Sequence, residues 1–191
     1  MRWVRSIGLV ALFAAGVNVL PEEEDHLSLV PWNVVEPGQT VDAPLVLFWI
    51  PSSGEELRRS PLLTSDDLTF YSSRCVAMRV VRADDEARLA RLNIEHELPV
   101  AVLADREGRI LGAATSEKGI LPLADVEELV GAELDARTTG AEMQLDQAQR
   151  HAEEGDDETA LALYRAVWNE RCLFPRQAKA AQRAIKKMEK K

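Results

Sequence analysis

The sequence predicts an α/β fold, followed by a small α-helical C-terminal extension. Apolar, β-branched runs separated by short helical patterns are typical of strands alternating with helices, and such runs stand at 45–50, 76–81 and 100–103. A turn ending in Gly108 predicts an antiparallel hairpin after the third run. After residue 139 the composition changes to alanine-rich, charged patterns with a helical period.

Each helix of the α/β part has its own signal in the sequence. Ser53 followed by Glu55 and Glu56 predicts a helix start, because serine caps helices and acidic residues complement the dipole of the first turn. Further helical patterns cover 86–92 and 123–130. We therefore divide the chain into a signal peptide or anchor at 1–20, an N-terminal extension at 21–41, the α/β domain at 42–134 and a helical segment at 139–191.

The most informative stretch is LVLFWIPSSGEELRRSP at 45–61. It resembles the redox centre of the thioredoxin-like superfamily, where a buried strand ends in Phe-Trp, a Cys-Gly-Pro-Cys motif opens a helix, and a proline then kinks that helix. Phe48 and Trp49 match the strand end and Pro61 matches the kinking proline, whereas Ser53 and Glu56 stand at the positions of the two cysteines. The resemblance extends over residues 42–134 and implies a thioredoxin-like fold, which is a three-layer α/β/α sandwich with a mixed central sheet.

The resemblance also implies a binding surface. Pro99 matches the proline that precedes the third strand in this family, so we expect its peptide bond to be cis, with a trans proline as the alternative. In the family this loop and the motif loop, here residues 51–56, dock extended polypeptide. The residues implied for this platform are Trp49, Pro51, Ser53, Gly54, Glu55, Glu56, Leu98 and Pro99. Acidic side chains at 55, 56, 95 and 97 favour a basic or neutral peptide partner.

The same stretch excludes dithiol exchange at this position. That reaction needs a thiolate and a second thiol, and neither serine nor glutamate supplies one. Leu47 also replaces the buried aspartate that many thioredoxins carry before Phe-Trp. We expect a protein- or peptide-binding module with no catalytic residue, no cofactor and no metal site, since the three histidines share no ligand spacing. The alternatives are a divergent thiol-disulfide oxidoreductase using Cys75 or Cys172, and a scaffold role of the C-terminal helices.

Only two cysteines occur in the chain, Cys75 near the start of a predicted strand and Cys172 in the C-terminal segment. They are too far apart in the sequence to form a Cys-x-x-Cys motif. We expect two semi-buried, separate cysteines, with a disulfide between them as the alternative if the protein reaches an oxidising compartment.

The N-terminus predicts export. Arg2 and Arg5 precede an apolar core at 7–15, and small residues at 14–16 form a site that a signal peptidase accepts. The product would be periplasmic or extracellular, and an uncleaved membrane anchor at 6–20 is the alternative. The net charge of -9 argues against a nucleic-acid partner, because phosphate backbones would be repelled.

The helical segment resembles one tetratricopeptide repeat. In the stretch AEEGDDETALALYRAV, Gly155 matches the turn, and Ala160 and Tyr164 match the small and aromatic packing positions of the second helix. Gln144 and Gln147 depart from the pattern, because bulky apolar residues usually stand there. One repeat does not bury its own apolar face, so we expect these helices to pack on the α/β domain, on a second copy or on a partner.

Overall fold

The structure, a computed structural model of the 191-residue chain, describes residues 29–94, 98–116 and 118–190. The predicted signal peptide or anchor lies outside these residues, as do Glu95, His96 and Glu97. These residues form a mixed α/β structure in which a five-stranded sheet is followed by helices at the C-terminal end of the chain. None of the helices in the described ranges has the length and hydropathy to cross a membrane.

The sheet has the strand order β1-β3-β2-β4-β5. Its strands are β1 Asn33–Val34, β2 Leu45–Ile50, β3 Val76–Val80, β4 Val100–Asp105 and β5 Ile110–Thr115. Strand β3 runs parallel to both β1 and β2, whereas β4 runs antiparallel to β2 and β5 antiparallel to β4. The predicted strands and the predicted hairpin are therefore all present, in a mixed sheet.

The helices are α1 Gly54–Arg59, α2 Asp66–Ser73, α3 Glu86–Arg91, α4 Leu123–Glu154, α5 Asp157–Asn169 and α6 Pro175–Met188. A 3₁₀ turn, Pro61–Leu63, lies between α1 and α2. Every helix from α1 to α3 begins after a residue whose side chain accepts a hydrogen bond from a backbone N–H of the first turn.

The two central strands are buried along their whole length, because side chains alternate between two apolar layers. In β2, Leu47 and Trp49 point into the layer that also contains Val126 of α4. Phe48 points to the opposite layer, which contains Leu92 at the end of α3. The apolar run at 45–50 is thus the centre of the fold.

The helix predicted at 123–130 is much longer in the structure. It continues as α4 for 32 residues, about 48 Å at 1.5 Å per residue, and passes through residues 131–139 without a break. Thr138 and Thr139 accommodate the helix by donating their hydroxyl hydrogens to the carbonyls of Leu134 and Asp135. The change in composition therefore marks a change in what the helix packs against. The helix stops only at Gly155, which has φ +85°.

Helices α5 and α6 pack on the second half of α4 through small residues. Ala141 and Ala148 of α4 are buried, as are Ala160 of α5 and Ala181 of α6. All of these belong to the same apolar cluster as Trp49 of the sheet. The sequence left packing on the α/β domain, on a second copy or on a partner open, and in the structure the helices pack on the core of their own chain.

A disulfide joins Cys75 to Cys172, with the two Cα atoms 5.8 Å apart. The expectation of two separate cysteines is wrong for this structure. Cys75 stands directly before β3, and Cys172 lies between α5 and α6. The two meet because α5 follows a tight turn at Gly155 and returns along α4 toward the sheet.

Candidate functional site

The start of α1 is a closed hydrogen-bonding network. Ser53 Oγ accepts a hydrogen bond from the N–H of Glu56 at 3.2 Å, as the predicted N-cap requires. Glu56 Oε2 reaches back and accepts from the Ser52 backbone N–H at 2.7 Å and from the Ser52 hydroxyl at 2.8 Å. This is close to a capping box, shifted by one residue. Both side chains at the cysteine positions of the family motif are therefore engaged in holding the helix terminus.

Pro61 was expected to kink the helix, and it ends the helix instead. Helix α1 stops at Arg59, and Ser60 is extended with φ −65° and ψ 138°. A residue before proline is disfavoured in the helical region, which explains the stop. The Ser60 hydroxyl then accepts from the Leu62 N–H at 3.3 Å and caps the following 3₁₀ turn.

The residues predicted for the binding platform divide by burial. Ser53, Gly54 and Glu55 are exposed, Glu56 and Leu98 are half-buried, and Trp49, Pro51 and Pro99 are buried. The Leu98–Pro99 peptide bond is cis, as the resemblance implied. Strand pairing of Ile50 with Val100 places both loops at the same end of the sheet. The loops are together, but several of their predicted contact residues face inward.

Trp49 is a core residue with a side chain exposure of 0%. Its ring lies 5.3 Å from that of Trp32, which in turn donates its Nε1–H to the Leu62 carbonyl at 2.8 Å. The Nε1 of Trp49 itself has no hydrogen-bond partner within the described residues. Leu98 packs in the opposite apolar layer, beside Phe48. Trp49 and Leu98 therefore lie on different faces of the sheet and do not form one surface.

Ile120 is an exposed apolar residue at this end of the sheet that sequence reasoning missed. Its side chain is 71% exposed, which is unusual for a large aliphatic residue, and it lines a pocket of about 220 Å³. Glu55 and Pro61 line the same pocket, so the loop before α4 meets the start of α1. The available signal was an apolar pair, Ile120 and Leu121, in a loop beside a glycine. We call Ser53, Gly54, Glu55 and Ile120 the motif face.

Helix α1, which begins at the motif face, carries two acidic and two basic side chains. Glu55 forms an ion pair with Arg59 at 2.9 Å, and both side chains are exposed, so the pair contributes little to stability. Arg58 is a further exposed cation on α1, whereas Glu56 is engaged with Ser52. The acidic character that favoured a basic partner is therefore weaker on α1 than the sequence suggested.

Both cysteines lie far from the motif face. Cys75 precedes Val76, which pairs with Leu45 at the beginning of β2, whereas the motif loop follows Ile50 at its end. A strand of this length spans about 17–20 Å. The disulfide is thus at the opposite end of the sheet. Within the described ranges, no cluster of three or more His, Cys, Asp or Glu side chains is arranged to hold a metal ion.

No family model matches the chain. A curated relative, Ectopic P granules protein 2 of Caenorhabditis elegans, is 31% identical to it over 101 residues. The match covers 51% of this chain and 14% of that protein. Because the chain spans such a small share of the relative, the similarity assigns neither a family nor an activity, and the function has to be argued from the geometry.

Proposed function

We propose that this chain is a thioredoxin-like protein without dithiol activity that binds extended polypeptide at its motif face. The mixed sheet with an antiparallel hairpin at one end supports the thioredoxin-like assignment. A helix that starts after Ser53 and a cis Leu98–Pro99 bond at the same end of the sheet support it further.

The observation that carries this proposal is the capping network of α1. Ser53 and Glu56 occupy the positions where the family has its two thiols, and both side chains are bonded to groups of their own loop. Neither carries sulfur, and the Cys75–Cys172 disulfide is about one strand length away. This end of the sheet presents an exposed, internally hydrogen-bonded loop without a thiol, which suits binding.

The motif face favours a peptide with an apolar side chain over a strongly charged one. Ile120 is available as an anchor, and burying a fully exposed isoleucine contributes about 1.5–3 kcal/mol. Gly54 is exposed and precedes Glu55, which lines the pocket, and it has no side chain that would keep a peptide backbone at a distance. The Glu55–Arg59 ion pair offsets one acidic charge beside this anchor, and the Glu56 carboxylate, which also lines the pocket, leaves one negative charge there.

The test is binding of the oxidised protein to an array of random peptides. Ile120→Ser and Gly54→Arg are each expected to abolish the signal, because one removes the anchor and the other fills the approach. Met143→Ser is the matched control, since Met143 is also exposed, at 60%, but lies on α4. Binding that survives both motif-face variants, or that Met143→Ser removes equally, would disprove this surface.

An insulin-reduction assay separates this proposal from the oxidoreductase alternative. The proposal predicts no turnover above the uncatalysed rate. Turnover that disappears in the Cys75→Ser variant would instead assign the chemistry to the disulfide and refute a purely binding role.

We propose further that the protein works in an oxidising compartment after export. The Cys75–Cys172 pair supports this, because structural disulfides persist outside the reducing cytosol. Fractionation with alkylation of free thiols tests it. We expect an unalkylated, disulfide-bonded protein in the envelope or secreted fraction, and a cytosolic protein with both thiols modified would contradict the proposal.

A further inference from the structure

The outer edge of β5 presents backbone groups that the sheet does not use. The Asp105 N–H donates to the Arg109 carbonyl, so the backbone of Asp105 faces β5. Since alternate residues of an antiparallel strand face opposite sides, Leu103 also faces β5, and it pairs there with Gly112. The neighbour of Gly112, Ala113, therefore directs its N–H and C=O away from β4, toward the free edge.

The second half of β5 pairs with β4 without a bulge. The irregularity in the pairing of β4 with β5 falls between Leu103 and Ala104, near the beginning of β5. A bulge of this kind is one way in which proteins blunt an edge strand. From Gly112 to Thr115 the pairing continues without interruption. The second half of β5 therefore has the regular extended backbone that an added strand needs for pairing.

A groove of about 570 Å³ runs beside this half of β5, between the strand and α4. Its volume lies within the range of known ligand sites, roughly 300–1,000 Å³. Apolar residues of both elements line it, among them Leu111, Ala114 and Leu129. Gly112 brings the strand close to the helix, because a Cβ there would lie 2.7 Å from Leu129 Cδ1.

The helix side of the groove is acidic. Asp125 and Glu128 line it and are exposed, and neither makes an ion pair within the described residues. Glu133 lines it as well, but it is paired with Arg137 at 2.6 Å. The groove thus carries uncompensated negative charge next to a free strand edge, and a cationic side chain would complement it.

We propose that this edge takes an extended peptide by strand addition, with lysine or arginine side chains directed at Asp125 and Glu128. The backbone of Ala113 supplies the hydrogen bonds, and the groove accepts alternate side chains of the added strand. The occupant is a basic peptide strand. The site involves no residue of the motif face and does not depend on the function proposed above.

Fluorescence anisotropy of a labelled peptide of alternating threonine and lysine tests the proposal on the full oxidised chain. Ala113→Pro removes an N–H that the sheet leaves unused, so the fold is retained and the affinity falls about tenfold or more. Asp125→Asn with Glu128→Gln lowers the affinity about fivefold. Asp146→Asn, on the exposed surface of the same helix, and Ile120→Ser leave it unchanged.

A peptide of alternating threonine and glutamate is the second control and is expected not to bind. Unaltered affinity in a folded Ala113→Pro variant would overturn the proposal, and so would an absence of binding by the wild-type chain. Glu128→Lys is expected to abolish binding and replaces Ala113→Pro should that variant fail to fold. Sedimentation showing a dimer that Ala113→Pro dissociates would assign the edge to a second copy of the chain and would also refute a peptide occupant.

Discussion

Removing the Cys75–Cys172 disulfide is expected to cost a large part of the stability of this protein. The crosslink closes a loop with a sequence separation of 97 residues. The chain-entropy relation for such a loop gives about 4.7 kcal/mol at 25 °C, compared with a total stability of about 5–15 kcal/mol for a typical domain. The Cys75→Ser/Cys172→Ser variant should therefore have a free energy of unfolding about 4–5 kcal/mol lower than the oxidised wild type.

We expect this loss to arise mainly in the unfolded state. We expect helices α5 and α6 to keep their packing on α4 without the crosslink, because Ala160, Val167 and Ala181 are buried in the apolar cluster that also contains Ala141 and Ala148 of α4. The unfolded chain, by contrast, is released from a loop of half its length and expands. A larger surface is then exposed on unfolding, so the dependence of the unfolding free energy on urea should become steeper.

Urea unfolding followed by tryptophan fluorescence and circular dichroism measures both quantities. The oxidised wild type, the reduced wild type and the double-serine variant are compared, and a reductant should leave the double variant unaffected. The reduced wild type and the double variant should coincide. A loss of less than about 1 kcal/mol in both, or an unchanged urea dependence, would refute the assignment of the effect to the unfolded chain.

Three further predictions concern the interior, the helices and the hairpin. Trp49→Ala should lower the free energy of unfolding by about 3–5 kcal/mol in thermal melts, because Trp49 is fully buried, and a loss below about 1 kcal/mol would contradict its place in the core. Gly140→Ala should raise the free energy of unfolding by about 0.5–1 kcal/mol, because a Cβ at this position within α4 meets open space. Gly155→Ala is equally uncrowded, but its φ of +85° is strained for alanine, so it should lower the free energy of unfolding by about 1–2 kcal/mol. Changes of the same sign in urea titrations would show that the backbone conformation does not determine the effect of these substitutions. Burial raises the pKa of Asp105, but hydrogen bonds from the backbone N–H and guanidinium of Arg109 outweigh burial and hold that pKa below its usual value. Wild type should therefore have a higher free energy of unfolding than Asp105→Asn above about pH 4, and this advantage should be lost as the pH falls through the pKa of Asp105 in the folded protein. A difference in unfolding free energy that grows on acidification would contradict this sign.

Much of the α/β part could be predicted because its signals are local. The run at 45–50 is apolar at every position, as a strand buried on both faces requires, and Ser53 caps the next helix as its residue type favours. The cis bond at Pro99 followed from the resemblance and the order of the elements.

The remaining features depend on contacts between distant residues. The apolar strand pattern does not reveal whether Trp49 faces a layer of side chains or solvent, because both are compatible with the end of an apolar strand. The pairing of Cys75 with Cys172 depends on the length and direction of α4 and α5, and the sequence does not fix these lengths to within one turn. The position of Ile120 beside α1 depends on the path of the loop before α4, which the sequence does not show.

The length of α4 explains how the C-terminal helices bury their apolar face. A single repeat of two helices leaves one face uncovered, and arrays of this kind need about three repeats. Here one continuous helix belongs to both parts of the molecule. Its first half covers the sheet through Val126 and Val130, and its second half receives α5 and α6 at Ala141 and Ala148. The disulfide joins the turn after α5 to the residue before β3, so the α/β core supplies the surface on which the C-terminal helices bury their apolar side chains.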